Sequence, residues 1–307
     1  MENKKKISGL AKAMIITAVV AAAAIIVSVC FAVSIGSVAM KEIFDNPQSF
    51  REAIVSGEKD LDILSEVKDY NILISDEKND MPVTGDTITV SGKFADINII
   101  ASDTDEIKVQ FQQYTNVPTT KPTVELEING QEFAINYDKD SLINAHIYLK
   151  LTIAIPKDTI KKVDIKNGIG DIEIDGIFVD ALSVTNNVGD IKIKNTETSA
   201  ASVSNDTGDI SLDEGFKSKL TLTVANNIGD IDFTVPDSGT NFELKYTTSV
   251  GELGVEDIDL SKYSFTKTQN LTNADGTIKG HNESGERAYY TLETNVGDIE
   301  LDSSSGS

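Results

Sequence analysis

Tryptophan is missing from this 307-residue chain, and cysteine, histidine and arginine are nearly so. The single cysteine, Cys30, can build no internal disulfide framework, which leaves a cysteine-free exterior compatible with an oxidising compartment. His146 and His281 have no second histidine or cysteine at ligand spacing, so the usual zinc patterns are excluded. With Arg51 and Arg287 as the only arginines, a site built to clamp an anionic substrate lacks its usual planar fork. No Gly-x-Ser-x-Gly elbow or phosphate-cradling loop is present. Aromatic residues make up 6% of the chain, which leaves little for stacking on sugars. The net charge of −22 argues against a nucleic-acid partner, because phosphate binding draws on clustered Lys and Arg.

What the chain does have is a repeat. Asn167-Gly168-Ile169-Gly170-Asp171-Ile172 returns as Asn186-Asn187-Val188-Gly189-Asp190-Ile191, as Asn205-Asp206-Thr207-Gly208-Asp209-Ile210 and as Asn226-Asn227-Ile228-Gly229-Asp230-Ile231. Looser copies surround Gly251 and Gly297, and the glycines step by 19, 19, 21, 22 and 46 residues. A period in this range marks stacked supersecondary units. Apolar residues fall at constant offsets from each glycine, as in Leu182, Val184, Val188, Ile191 and Ile193. Spacing of two within each half is strand periodicity, so each unit reads as two short strands sharing one inward face. The phase shifts at Gly-Asp, where glycine suits a tight bend.

Parity also turns Asn167, Asn186, Asn205 and Asn226 inward, where an amide can bond its own backbone at the bend or ladder with the next coil. The same offsets find a degenerate first copy around Ala95 and a last one ending at Leu301, so the frame runs over residues 85–302 with atypical terminal copies acting as caps. The fold class expected is all-β: a single-stranded β-helix, or β-solenoid, of coils about 19–22 residues long.

Residues 1–12 form a basic tail with Lys4, Lys5, Lys6 and Lys12, and no charge follows from Ala13 to Met40. That run of 28 residues exceeds the ~20 needed to cross a bilayer. It reads as a signal-anchor helix over 13–38, with the N-terminus cytoplasmic and the bulk of the chain outside the membrane. Ser37-Val38-Ala39 matches a signal peptidase site, but the apolar run is longer than a secretory one. Residues 41–80 carry apolar positions three and four apart and read as a juxtamembrane helical segment that caps the first coil. Ser75 to Gly85 reads as a charged connector. Strands are expected over Ile107–Phe111, Val124–Ile128, Phe133–Tyr137 and Ala145–Ile155, with a hairpin at Asn129-Gly130 and another hairpin or long loop between Glu256 and Glu286. Residues 303–307 form a polar tail.

The anchor, the run Lys150-Leu151-Thr152-Ile153-Ala154-Ile155-Pro156-Lys157-Asp158 leading into Val163-Asp164-Ile165, and the Asn-x-x-Gly-Asp-Ile repeats together resemble a known family. The chain is similar to the "putative adhesin" domain of unknown function, LiaG-like, of Gram-positive cell-envelope proteins. That resemblance covers roughly residues 85–302 and implies a β-solenoid at the cell surface with an adhesive or stress-response role; it brings no catalytic residues to place on this chain.

Stacked coils would align Asp171, Asp190, Asp209 and Asp230 on the outside about 4.8 Å apart, with Glu252 of a looser copy as a further candidate for the column. Two charges at that distance repel by roughly 0.9 kcal/mol in water, which a calcium ion could relieve. Aspartate beside glycine is also ordinary turn chemistry, and the sequence favours that role over a calcium column. No other cofactor is expected. The function expected is a non-enzymatic, membrane-anchored binding or scaffold module of the envelope, its partners the membrane itself and an envelope protein or wall polymer. The alternative is a carbohydrate-active β-helix enzyme acting on wall glycan, which would need a cleft with paired carboxylates.

Overall fold

The alternation Leu182-x-Val184, then Ile191-x-Ile193, folds as the two strands of one rung, with all four side chains buried. The computed structural model describes residues 72–115, 124–136, 147–212, 216–256, 258–270, 272–280 and 286–303. The anchor expected over 13–38, the helical segment over 41–71, and Cys30, Arg51, His146 and His281 lie outside the described residues.

The described chain opens with β1 (Ile72–Pro82), β2 (Thr87–Ser91), β3 (Asp96–Ser102), β4 (Glu106–Thr115), β5 (Glu125–Asn129), β6 (Glu132–Asn136) and β7 (Ile147–Pro156). Regular rungs follow: β8 (Lys162–Ile169) with β9 (Ile172–Asp175), β10 (Phe178–Val188) with β11 (Ile191–Lys194), β12 (Glu197–Thr207) with β13 (Ile210–Leu212), and β14 (Lys217–Ile228) with β15 (Ile231–Val235). β16 (Phe242–Val250) and β17 (Leu253–Glu256) form another rung. A hairpin of β18 (Ser264–Gln269) and β19 (Ala274–Lys279) precedes the last pair, β20 (Ala288–Val296) and β21 (Ile299–Ser303).

The two halves of each rung enter two different sheets. One runs β1-β4-β7-β3-β9-β11-β13-β15-β21-β17, the other β18-β19-β16-β20-β14-β12-β10-β8-β2-β6-β5. The regular strands are parallel and in register, so like residues stack. Ile97, Ile172, Ile191, Ile210, Ile231, Ile299 and Leu253 form one buried column. Val90, Ile165, Val184, Val203, Val224, Leu292 and Tyr246 form another in the facing sheet. Burying each such side chain contributes roughly 1.5–3 kcal/mol, which makes the columns the main source of cohesion.

Three expectations are corrected. Residues 72–82, read as the end of a helical segment and a connector, are the edge strand β1, antiparallel to β4. Their run of charge hides no alternation because an edge strand needs only backbone pairing, and Gln110 Nε2 adds a bond to Asp76 Oδ1 at 2.8 Å. The last copy does not cap the stack. β20 lies between β14 and β16, and β21 between β15 and β17, so the final rung is inserted inside the column. The end is closed instead by β19 and β18, antiparallel to β16, with Tyr246 donating its hydroxyl to the Thr266 carbonyl at 3.1 Å and Lys267 Nζ donating to the Leu253 carbonyl at 3.1 Å. The third concerns the asparagines: they stack on one another in register, as a ladder requires, but their amide nitrogens donate to carbonyls of the neighbouring rung and not to one another.

The hairpin at Asn129-Gly130 is present as β5 and β6, with Gly130 at φ +61. Gln131 pins it to the stack: its Oε1 accepts from the Thr84 and Gly85 N–H groups at 2.7 and 2.6 Å, and its Nε2 donates to the Thr87 carbonyl at 2.8 Å.

Candidate binding surface

The Gly-Asp bend sits along one edge of the solenoid and is held by two kinds of side-chain bond between rungs. Gly189 shows why glycine is needed there: its φ is +122, and a Cβ would lie 2.3 Å from the Gly170 carbonyl oxygen. Gly170, Gly208, Gly229 and Gly297 repeat that conformation, whereas Gly251, at the last rung, is confined by space alone, 1.9 Å from the Gly297 oxygen.

The buried asparagine three residues earlier reaches across to the neighbouring rung. Asn186 Nδ2 donates to the Gly170 carbonyl at 3.0 Å, Asn205 to Gly189 at 2.8 Å, Asn226 to Gly208 at 2.8 Å, and Asn167 to Ala95 at 2.9 Å. In the looser copies threonine does the same work: Thr294 Oγ1 donates to Gly229 at 3.1 Å and Thr248 to Gly297 at 2.7 Å. Each side chain satisfies a carbonyl that the bend turns away from the ladder.

The aspartates form a matching ladder on the outside. Asp190 donates its backbone N–H to Asp171 Oδ1 at 2.9 Å, Asp209 to Asp190 at 2.9 Å, and Asp230 to Asp209 at 2.8 Å. Asp171 donates in turn to Asp96 Oδ1, Asp298 to Asp230, and Glu252 to Asp298, at 2.9, 2.7 and 2.7 Å. Asp96 also accepts the Tyr148 hydroxyl. Burial, then that bond, push the Tyr148 hydroxyl well above its ordinary value. Burial between rungs, reinforced by the charge of Asp96 and opposed by the Asp190 N–H, raises the Asp171 carboxyl.

All four aspartates expected in a column are therefore brought together in sequence along one edge. One oxygen of each is committed to the next rung's backbone. Among the described residues no group of three or more His, Cys, Asp or Glu gathers as a metal-ligand set. The repeat residues Asn167, Gly170, Asn186, Gly189, Asn205, Gly208, Asn226, Gly229, Gly251 and Gly297 all line this edge. The sequence reasoning missed Asp96, Asp298, Thr248 and Thr294. The offsets of −3 and +1, applied to the loose copies at Ala95, Gly251 and Gly297, point to each of them.

The outer face of the longer strands is the other extended surface. Ala181, Ser183 and Thr185 on β10 align with Ala200, Ser202 and Ser204 on β12 and with Thr221, Thr223 and Ala225 on β14. None carries a charge. On one side this block meets Lys162, Asp164 and Lys166 of β8, and on the other Tyr289, Thr291 and Glu293 of β20, where Tyr289 is 54% exposed. Parallel pairing sets the repeat of the hydroxyl rows at roughly 4.8 Å.

At the start of the stack an open groove of about 420 Å³ is lined by residues that include Ser91, Lys93, Ile135, Lys166, Thr185 and Asn187. Arg287, the one described arginine, serves the other end: its Nε donates to Asn241 Oδ1 at 3.0 Å, and it lies beside Glu243 with Lys279 and Lys245.

A family model described as Toastrack DUF4097 matches residues 86–307. No curated protein matches the chain. Among solved structures, the chain is similar to a "putative cell adhesion protein" from Clostridium sporogenes, at 12% identity over 75% of this chain and 99% of that one, with a TM-score of 0.38. It is also similar to a "putative adhesin" from Bacteroides fragilis, at 13% identity over 74% and 97% of the two chains, with a TM-score of 0.39. A "putative lipid binding protein" from Parabacteroides distasonis aligns at 13% identity over 75% and 96%, with a TM-score of 0.29.

Proposed function

The chain belongs to the Toastrack DUF4097 family, and on that footing we propose that it is an adhesin-like binding or scaffold protein of the cell envelope that carries out no catalysis. A single membrane helix over residues 13–38 fastens it, with the N-terminus in the cytoplasm and the solenoid outside. The observation that supports this reading best is the flat, uncharged Ser/Thr/Ala block across β10, β12 and β14, in a chain whose net charge is −22. Rigid, evenly spaced hydroxyls on a parallel sheet suit recognition of an extended envelope protein or wall polymer better than chemistry on a small substrate. The ladder carboxylates support the same side of the argument, because one oxygen of each is held by a backbone N–H rather than poised over a cleft.

The experiment is retention of envelope components by an ectodomain of residues 41–307, with and without calcium, alongside a Ser202→Glu/Thr223→Glu variant. Retention that the variant abolishes is expected, and calcium should make no difference. Retention indifferent to those two substitutions would remove the surface from consideration. Protease accessibility of the intact cell tests the orientation separately.

A further inference from the structure

The outer face of strands β10, β12, β14 and β20 carries an unbroken row of hydroxyls. By register Ser183 lies beside Ser202, Ser202 beside Thr223, and Thr223 beside Thr291. Among the described residues none of these four hydroxyls takes part in a hydrogen bond. Hydroxyls that serve the fold are used up: those of Thr196, Thr198, Ser218, Thr248 and Thr294 each donate to a backbone carbonyl. Nearer the bend of the same strands, Asn295 Nδ2 donates to Asn227 Oδ1 at 2.9 Å, which leaves the Asn227 nitrogen and the Asn295 oxygen on an exposed column.

One aromatic ring adjoins that row. Tyr289 stands two residues before Thr291 on β20, beside Thr221 of β14, and at 54% it is the most exposed large hydrophobic side chain among the described residues. Charge then narrows what the face can hold. The row bears no ionisable side chain, in a chain of net charge −22. That charge repels a polyanion, and a polycation is drawn instead to the aspartate ladder along the bend. An uncharged polymer meets neither effect.

We propose that this face binds an uncharged, β-linked glycan strand lying along the stack axis, with one sugar seated on Tyr289. The glycan hydroxyls exchange hydrogen bonds with Ser183, Ser202, Thr223 and Thr291, each of which can both donate and accept. The apolar face of a sugar ring covers the Tyr289 ring, which offers a wide apolar surface with a polar tip. A β-linked chain is extended, so it can follow a row whose members repeat at roughly 4.8 Å. Aromatics are only 6% of the chain, yet one of them stands exposed where a sugar following the hydroxyls would pass. The inference rests on the reading of this face as the binding surface and commits its occupant to glycan rather than protein.

The test is calorimetric titration of the full-length chain in detergent with two β-linked probes: chitohexaose, which is uncharged, and hyaluronan hexasaccharide, which carries a carboxylate on alternate sugars. Saturable chitohexaose binding at about 1 mM or tighter is expected, at least ~10-fold stronger than hyaluronan and indifferent to salt. Tyr289→Ala should weaken it at least ~10-fold, and Tyr289→Phe should keep most of it. Phe178→Ala removes a comparably exposed ring, 46%, that lies outside the row, and should leave binding unchanged. Both rings lie largely outside the core, so the melting temperature of each variant should match the parent. No saturable binding, binding that survives Tyr289→Ala, or an equal loss in Phe178→Ala overturns the proposal. Envelope components still retained by the native chain, and lost with Ser202→Glu/Thr223→Glu, would in that case assign the face to a protein and leave the envelope reading standing; no retention at all would remove both.

Discussion

Asp298 donates its backbone N–H to Asp230 Oδ1 at 2.7 Å across 68 residues of sequence. The contact is the same one that Asp190 makes to Asp171 across 19. Between these partners the chain builds a whole further rung, turns through a hairpin, and returns to fill the gap it left. The inserted rung is therefore a keystone, paired on both sides in both sheets.

Gly297 tests that keystone. Its φ is +146, and a Cβ would lie 2.0 Å from the Gly229 carbonyl oxygen, so Gly297→Ala should cost about 2–4 kcal/mol and lower the melting temperature cooperatively. Gly254→Ala on the edge strand is the control, because its nearest neighbour is the Glu300 Cγ at 3.5 Å, and it should stay within about 1 kcal/mol of the parent. Equal effects in chemical denaturation would contradict the insertion.

Asn205→Ala should destabilise by about 1–3 kcal/mol, since the Gly189 carbonyl loses its donor in a dry place. Asn205→Thr should recover part of the loss, because Thr294 and Thr248 already make this bond in their own rungs. Urea denaturation of the three proteins distinguishes a hydrogen bond from simple filling of space, which alanine and threonine would rank differently.

The Asp171 carboxyl is raised from its ordinary 3.8, first by burial and then by the charge of Asp96. A carboxyl whose folded value lies above its unfolded one favours folding more when protonated. Its ionisation therefore costs stability at neutral pH, and the cost disappears as pH falls through the raised value toward 3.8. Asp171→Asn keeps an acceptor for the Asp190 N–H and removes the charge, so it should match or exceed the parent at pH 7 and lose any advantage at pH 3. A variant less stable at pH 7 than at pH 3, relative to the parent, would reverse the sign.

Glu243 behaves oppositely. The hydrogen bond from Lys279 at 3.0 Å, with the charges of Lys279, Lys245 and Arg287, holds its carboxyl below the ordinary 4.5. A depressed carboxyl contributes stability above its unfolded value and loses it as pH falls through the folded one. Glu243→Gln should therefore cost about 1 kcal/mol at pH 7 and less at pH 3, as read by thermal denaturation at both. A penalty that does not shrink at low pH would assign the loss to packing.

The rungs were legible because their signals are local. The period of two fixes which side chains turn inward, and Leu182, Val184, Ile191 and Ile193 are buried as that period requires. The Gly-Asp bend was visible for the same reason, as was the Asn129-Gly130 hairpin. β1 was not visible, because Glu77 to Asp80 are all exposed and an edge strand paired through its backbone leaves no alternation in the side chains. The hydrogen bonds of the asparagines were half visible: parity turned them inward, but the acceptor belongs to another rung and no spacing within one copy could name it. The groove at the start of the stack is lined by Ser91, Ile135, Lys166 and Thr185 from four different strands, which no spacing within one copy could bring together.

The sequence by itself determined what each rung is: two strands, an inward column of Ile, Leu and Val, a glycine at the bend and an acid beside it. Only the tertiary structure decided the order in which the rungs lie. Rungs that share the same offsets offer one another nearly the same pairing energy, so periodicity cannot say which neighbour a rung takes. That choice is made where the copies differ, at the β18–β19 hairpin that closes the stack over β16 and leaves the space beside Gly229 for Gly297.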